Sequence, residues 1–249
     1  MSAYDQPDLT GYFELPWHRG PLAAYDCETN GVNVQTDRIV TAALIRSNGQ
    51  VMEWLSDLDG AEIPADAYDV HKISTEHAHA HGRPAKEVVD EIAAAIAAEL
   101  AAGSSLVVMN APFDLPLLDA ECARYGVETV ADRFGCVEPV IDPLVIDRHV
   151  ERYRKGKRNL ETLASLYEVA LADAHTARAD AQAALDVAVK MADRYEELRI
   201  PAHRIHLHQV HWHAAWAASF QAFLRRKGER DAVIDGRWPL RPIEGGGPS

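Results

Sequence analysis

The sequence predicts an α/β domain in which a mixed sheet is flanked by helices and followed by a C-terminal helical extension. Residues 22–28 begin as an apolar run and end in acids, a pattern typical of a buried strand that ends in a turn. Asn48-Gly49 favours a two-residue hairpin between strands at 38–45 and 51–55. Apolar residues then recur at helical spacing from Val88 to Leu100. Strands and helices in this order indicate the α/β class.

Later patterns add two short strands and several helices to this domain. Residues 57–85 are expected to form a polar connection. Pro116 fits only the first turn of its helix, because proline has no backbone N–H, and this places Asp114 at the helix start. The predicted strands are 105–109 and 140–142, and the predicted helices are 116–126, one that begins at Pro143, 159–167, 176–195 and one that ends at Gly228.

The chain divides into three segments by composition. Residues 1–20 are expected to form a loose N-terminal arm, and Ile200-Pro201 marks the end of the α/β domain at 21–199. The C-terminal segment, 200–249, combines a helix with a tail rich in glycine and proline, which we expect to be partly ordered at best.

Composition limits the function classes. The chain of 249 residues has a net charge of −13, which argues against a protein that coats nucleic acid in general. It has no apolar stretch of membrane-spanning length and no basic start followed by an apolar run. Its 3 widely spaced cysteines suggest no disulfide framework. We therefore expect a cytoplasmic protein that does not engage membranes.

Two acids end the first strand. Alternate strand side chains face the same side, so the carboxylates of Asp26 and Glu28 are expected about 6–7 Å apart along the strand, with Cys27 facing away. Two neighbouring carboxylates near a core repel each other unless a cation lies between them, and a hard divalent cation prefers oxygen ligands. The alternative is an exposed strand end with two solvated acids, and this stretch alone leaves both open.

Another acid interrupts the apolar face of the helix at 176–195. At 100° per residue, Asp180 falls in the middle of a face that includes Val187 and Met191. An acid in that position is unfavourable unless it is paired or bound to a metal, and a salt bridge to a core arginine is the alternative. His175 lies just before this helix.

Three motifs that contain these acids occur in order, namely Asp26-Cys27-Glu28-Thr29-Asn30-Gly31, Asn110-Ala111-Pro112-Phe113-Asp114 and His175-Thr176-Ala177-Arg178-Ala179-Asp180. They resemble the three exonuclease motifs of the DnaQ-like 3′–5′ exonucleases, in the branch with a histidine general base. The segments 70–74 and 156–160 also resemble parts of the proofreading epsilon subunit of bacterial DNA polymerase III. The resemblance covers roughly residues 20–195.

The resemblance implies an RNase H-like fold and a site with two Mg²⁺ or Mn²⁺ ions. Such ions stabilise the attacking and leaving oxygens of an in-line displacement. The four metal ligands would be Asp26, Glu28, Asp114 and Asp180, and His175 would take the proton from the attacking water. Residues implied to contact the substrate are Thr29, Asn110, Phe113 and His71.

A basic run at 152–158 is a further candidate for substrate contact. It has five basic residues within seven positions of an acidic chain, and Arg154, Lys155 and Lys157 are its predicted phosphate ligands. The alternative is a solvated helix end.

The sequence therefore predicts a metal-dependent 3′–5′ exonuclease that acts on the 3′ ends of nucleic acid, with single-stranded DNA favoured, and releases nucleoside 5′-monophosphates. The alternatives are an RNA-trimming exoribonuclease and a non-catalytic subunit that binds the replisome. Expected partners are nucleic acid and a DNA polymerase or replisome component. The aromatic stripe of Trp212, Trp216, Phe220 and Phe223 is expected to pack on its own domain or to form a homodimer, since it is too apolar to remain in water.

Overall fold

The computed structural model describes residues 15–171 and 174–241, so most of the predicted N-terminal arm and the last residues of the tail lie outside it. A five-stranded sheet with the strand order β3-β2-β1-β4-β5 forms the centre of the described chain. The strands are β1 Leu22–Thr29, β2 Ile39–Arg46, β3 Val51–Leu55, β4 Ser105–Val107 and β5 Val140–Ile141. The first three pair antiparallel as a meander, whereas β4 and β5 run parallel to β1. The predicted mixed sheet is confirmed.

Helices cover both faces of this sheet. They are α1 Ala65–His71, α2 Thr75–His81, α3 Ala85–Ala101, α4 Ala111–Tyr125, α5 Val130–Phe134, α6 Pro143–Val150, α7 Leu160–Leu166, α8 Ala177–Arg194 and α9 Ala202–Lys227. The alternation of β1 divides the core: Tyr25 and Cys27 pack with α3 and α4, whereas Leu22 and Ala24 pack with α7 and α8. Each face of β1 therefore meets a different group of helices.

Two local predictions were wrong. The helix predicted to begin near Pro116 begins at Ala111, with Pro112 in its first turn and Pro116 inside it. Asp114 still lies in the first turn, as expected. The supposed polar connection at 57–85 contains α1 and α2, two short helices that the sequence pattern did not reveal because each has only one buried residue.

The C-terminal segment packs against the α/β domain. Helix α9 lies on α6 and β5. The side chain of Gln209 on α9 accepts a hydrogen bond from the Asp142 backbone N–H at 2.7 Å and donates to the Val140 carbonyl at 2.9 Å. Trp238, in the tail expected to be loose, is 5% exposed and belongs to the core with α3 and α4. Trp212 of the aromatic stripe also packs on this core, whereas Phe220 and Phe223 are exposed, so the expected packing of the stripe on its own domain holds only in part.

Within the described residues, no helix is both long and apolar enough to cross a membrane.

Candidate functional site

Three of the four predicted ligands come together at the end of β1. One carboxylate oxygen each from Asp26, Glu28 and Asp180 lies within 4.8 Å of the other two. Asp26 and Glu28 are on the face of β1 that meets α8, and Asp180 is in the first turn of α8. The Thr176 hydroxyl caps this helix by accepting the Ala179 N–H, which fixes where the first turn begins.

The fourth predicted ligand, Asp114, approaches β1 from the other face. Its Oδ1 accepts hydrogen bonds from the backbone N–H and from the thiol of Cys27, both at 3.3 Å. This placement follows from the alternation of β1, because Cys27 points toward α4 whereas Asp26 points toward α8. Asp114 lies near enough to Asp26 to raise the pKa of that carboxyl.

The three clustered acids are electrostatically unfavourable without a cation. Burial raises the pKa of Asp26 well above its ordinary range, and the charges of Asp114, Glu28 and Asp180 raise it further. Burial and the charge of Asp180 raise the pKa of Glu28 to about 7, against the opposing effect of His175. Burial is also the main cause of the raised pKa of Asp180. A hard divalent cation would neutralise this cluster with the oxygen ligands that it prefers, so these residues fit a metal site.

His175 lies at the edge of the cluster. Its φ of +69° is in the left-handed region, and its backbone N–H donates to Asp180 Oδ1 at 3.4 Å. Its ring Nε2 is 3.4 Å from Glu161 Oε1, a residue in the first turn of α7. The side chain is 46% exposed, so the imidazole is open to solvent and to a substrate.

A cavity of about 330 Å³ adjoins this histidine. His71 and Trp54 contribute to its lining together with His175. Burial lowers the pKa of His71, whose Nδ1 accepts the Ile73 N–H at 3.1 Å. The structure therefore brings two of the predicted site histidines into one cavity, and its volume is near the lower end of the range for small-ligand pockets.

The other predicted substrate residues surround the ends of β1 and β4. The Thr29 hydroxyl donates to the Gly31 carbonyl at 2.6 Å. Asn110 is exposed and adopts a φ of +66° at the start of α4, and Phe113 is half-buried against the core. Their contacts with a substrate stay predictions.

The residues of the basic run at 152–158 have different environments: two arginines are paired with a buried acid, and two lysines are exposed. Arg154 and Arg158 both form salt bridges with Asp147, a fully buried acid on α6. Arg154 Nη2 is 2.8 Å from Asp147 Oδ2. Lys155 and Lys157 are exposed. The phosphate role predicted for Arg154 stays a prediction, but its side chain also has a structural partner that the sequence analysis did not find.

The buried acid Asp142 also positions the site, although the motifs did not predict it. Its carboxylate caps α6 and accepts the backbone N–H groups of Asn110 and Ala111, both at 3.0 Å, and the indole N–H of Trp238 at 3.1 Å. It therefore holds the junction between β4 and α4, which carries Asp114. The Asp142-Pro143 pair, an N-cap residue before a first-turn proline, was the signal that could have revealed it.

Comparison with known proteins identifies the family. The model of the RNase_T family, described as an exonuclease, matches residues 23–188. The match includes Asp26, Glu28, Asp114, His175 and Asp180.

Similar curated proteins are much longer than this chain. A PolC-type DNA polymerase III of Caldanaerobacter subterraneus subsp. tengcongensis is 26% identical over 195 residues, which cover 78% of this chain and 13% of that protein. The PolC-type DNA polymerase III of Streptococcus thermophilus is 30% identical over 162 residues, which cover 64% of this chain and 10% of the polymerase.

Solved structures share the fold. E. coli exonuclease I in complex with a dT13 oligonucleotide matches 72% of this chain and 42% of its own length, with a TM-score of 0.63 and 20% identity. Exonuclease I of Methylocaldum szegediense matches 72% of this chain and 41% of its own length, with a TM-score of 0.60 and 20% identity. The RNase H-like exonuclease fold that the motifs implied is confirmed.

Proposed function

The chain belongs to the RNase_T exonuclease family, and we propose that it is a metal-dependent 3′–5′ exonuclease that acts on DNA, with single strands favoured, and releases nucleoside 5′-monophosphates. The observation that carries this proposal is the convergence of Asp26, Glu28 and Asp180 within 4.8 Å. Such a cluster of half-buried acids is costly to the fold and is explained by a cation that the reaction requires.

Asp26, Glu28 and Asp180 would hold divalent cations, with Asp114 as a fourth ligand. When bound, two Mg²⁺ or Mn²⁺ ions supply stabilisation of the charge on the attacking and leaving oxygens of the phosphodiester. The hydrogen bonds from Cys27 fix the Asp114 carboxylate beside β1. Because these acids are on a sheet strand and in the first turn of a capped helix, regular elements set their backbone positions before substrate arrives.

His175 is proposed as the base that takes a proton from the attacking water. Glu161 faces one ring nitrogen, Nε2, and a carboxylate in that position favours proton acceptance at the other nitrogen. The backbone hydrogen bond from His175 to Asp180 ties the base to the acid cluster. The neighbouring cavity with His71 and Trp54 would accept the terminal nucleotide, beside Thr29, Asn110 and Phe113.

Similarity supports DNA as the substrate. The curated relatives are DNA polymerases, and exonuclease I was solved with a DNA oligonucleotide. The exposed Lys155 and Lys157 would contribute phosphate contacts. Association with a DNA polymerase or another replisome component belongs to the same proposal.

The test is digestion of 3′-labelled single-stranded DNA, duplex DNA with paired or mismatched ends, and RNA, with Mg²⁺, with Mn²⁺ and with a chelator. Asp26→Ala and Asp180→Ala are expected to abolish cleavage. Asp193→Ala, which removes an exposed acid from the same helix as Asp180, is the control and should retain full activity. Full activity in either cluster variant would refute the proposed metal site. Preferential digestion of RNA would show that RNA, and not DNA, is the substrate.

A further inference from the structure

A basic pocket lies between α6 and α9, outside the acid cluster. Its cavity volume is about 260 Å³, and its lining includes Arg148, His149, Arg152, Arg158, Trp212 and Trp216. We call it the α6–α9 pocket. No acid lines it among the described residues, although the whole chain carries a net charge of −13.

Arg148 offers unused hydrogen-bond donors in this pocket. Its guanidinium lies 3.5 Å from the centre of the Trp216 ring, and the described residues provide it with neither a hydrogen bond nor a salt bridge. Burial lowers the pKa of Arg148 to about 10, so the group is still charged at neutral pH. A half-buried arginine that is held by an aromatic ring, with its N–H groups unpaired, is suited to bind an oxyanion.

The two acids of this segment, Asp147 and Glu151, do not line the α6–α9 pocket itself and are paired with other side chains. Asp147 is paired with Arg154 and Arg158 in the interior. Glu151 accepts a hydrogen bond from the Tyr195 hydroxyl and lies 3.8 Å from Arg194. Intramolecular pairing therefore offsets the charges of Asp147 and Glu151. Glu197 remains close enough to the pocket to oppose the lowering of the His149 pKa that burial causes, and Arg148 and Arg152 exceed it in charge.

The pocket continues into a second, more open cavity. The two cavities share His149 and Arg152, and the second is also lined by Glu151, Tyr153 and Arg154. Tyr153 is 87% exposed, and the Arg152 guanidinium lies 5.8 Å from the centre of its ring. Exposed aromatic rings among cations are typical of surfaces that bind single-stranded nucleic acid, because bases stack on the rings while arginines contact phosphates.

One end of this surface approaches the candidate active site through Arg158. Arg158 lines the pocket and precedes Glu161 by three residues, so their Cα atoms are no more than about 11 Å apart. Glu161 in turn faces His175.

The other end of this surface lies at the far end of α8. Glu151, next to Arg152, accepts a hydrogen bond from Tyr195. Tyr195 is roughly 22 Å along the helix from Asp180. A strand whose 3′ end is at the acid cluster would therefore reach Arg152 and Tyr153 only several nucleotides before its cleaved end.

We propose that the α6–α9 pocket and Tyr153 form a second binding site for the substrate strand, at nucleotides that precede the cleaved end. Arg148 and Arg152 bind phosphate groups, and Tyr153 stacks with a base. Trp212 and Trp216 act as supports, because their faces already contact His149 and Arg148. This inference rests on the proposed function, since the ligand is the nucleic acid that the enzyme would degrade.

The test is binding of fluorescent oligothymidylates of roughly 4 and roughly 16 nucleotides, in a chelator so that nothing is cleaved, across a salt series. Arg148→Gln/Arg152→Gln is expected to lower the salt slope for the long oligonucleotide by about 1.4, at about 0.7 per phosphate. Tyr153→Ala is expected to weaken its binding by about 5- to 150-fold, the range for loss of one base stack. Both changes should weaken binding of the short oligonucleotide less than binding of the long one.

The control is Lys86→Gln/Lys190→Gln, which removes two exposed charges elsewhere and should leave affinity and slope unchanged. Thermal melting checks that the Arg148→Gln variant folds. If it does not, the single variants Arg152→Gln and Tyr153→Ala carry the test, because they change exposed side chains. Wild-type affinity and slope in these two variants would overturn the inference, as would tighter competition by an acidic peptide than by the oligonucleotide.

Binding and hydrolysis separate the two proposals. If the wild type degrades none of the substrates but binds the long oligonucleotide through Arg152 and Tyr153, the second site stands and the proposed exonuclease function fails. If the wild type degrades DNA and these variants bind as it does, the second site fails and the proposed function stands.

Discussion

Replacement of Glu28 by glutamine is expected to stabilise the metal-free protein above neutral pH. In the fold, burial and the charge of Asp180 raise the pKa of Glu28 from about 4.5 to about 7. A carboxyl whose pKa is raised by folding binds its proton more tightly in the folded state than in the unfolded chain. The stability that this proton confers is present at low pH and is lost as the pH rises from about 4.5 to about 7.

The size of the effect follows from the same pKa values. A rise from 4.5 to about 7 corresponds to about 3 kcal/mol in the free energy of unfolding, because each pKa unit is worth about 1.36 kcal/mol. Partial solvent screening reduces this, and we expect about 2 kcal/mol for Glu28→Gln at about pH 8. For a protein of this size, that is a gain of roughly 4–8 °C in melting temperature.

The assay is thermal melting of wild type and Glu28→Gln in chelator at about pH 5 and about pH 8, and again in Mg²⁺. In chelator, the increase in melting temperature of Glu28→Gln over the wild type should appear at the higher pH and be smaller at the lower pH. Saturating Mg²⁺ should stabilise the wild type more than the variant, because the variant lacks one ligand. Glu62→Gln, at an exposed acid, is the matched control. A Glu28→Gln variant that melts at or below the wild-type temperature at the higher pH in chelator would refute the reasoning.

Three further predictions concern the base, the C-terminal tail and a buried ion pair. His175→Ala should lower the rate of hydrolysis by about 10²–10⁴, with partial rescue by added imidazole and unchanged melting; a wild-type rate would exclude the role of base. Trp238→Ala should lower the free energy of unfolding by about 3–5 kcal/mol, since the ring is buried in the core; urea unfolding measures this, and no change would contradict the packing of the tail. Arg154→Ala should destabilise the fold measurably, because it removes one partner of the buried Asp147, and Lys155→Ala should leave the urea midpoint unchanged.

The sequence by itself determined the secondary structure that carries the chemistry. Alternation in β1 predicted that Asp26 and Glu28 share a face, and the 3.6-residue period of α8 predicted that Asp180 faces inward. Asn159 and Gly228 were recognised as the start of α7 and the end of α9 because capping depends on local residue types. These features depend on neighbours within a few positions, and a sequence displays such neighbours directly.

Only the tertiary structure decided which side chains meet. Helix α4 covers one face of β1, and its Asp114 therefore contacts Cys27 on that face. The other three acids converge on the opposite face. The fold of the segment after α6 pairs Arg154 with Asp147, and the return of the tail places Trp238 on Asp142, 96 positions away in the sequence. Contacts of this kind depend on how elements pack and on which buried charges must be paired, and residue spacing carries neither.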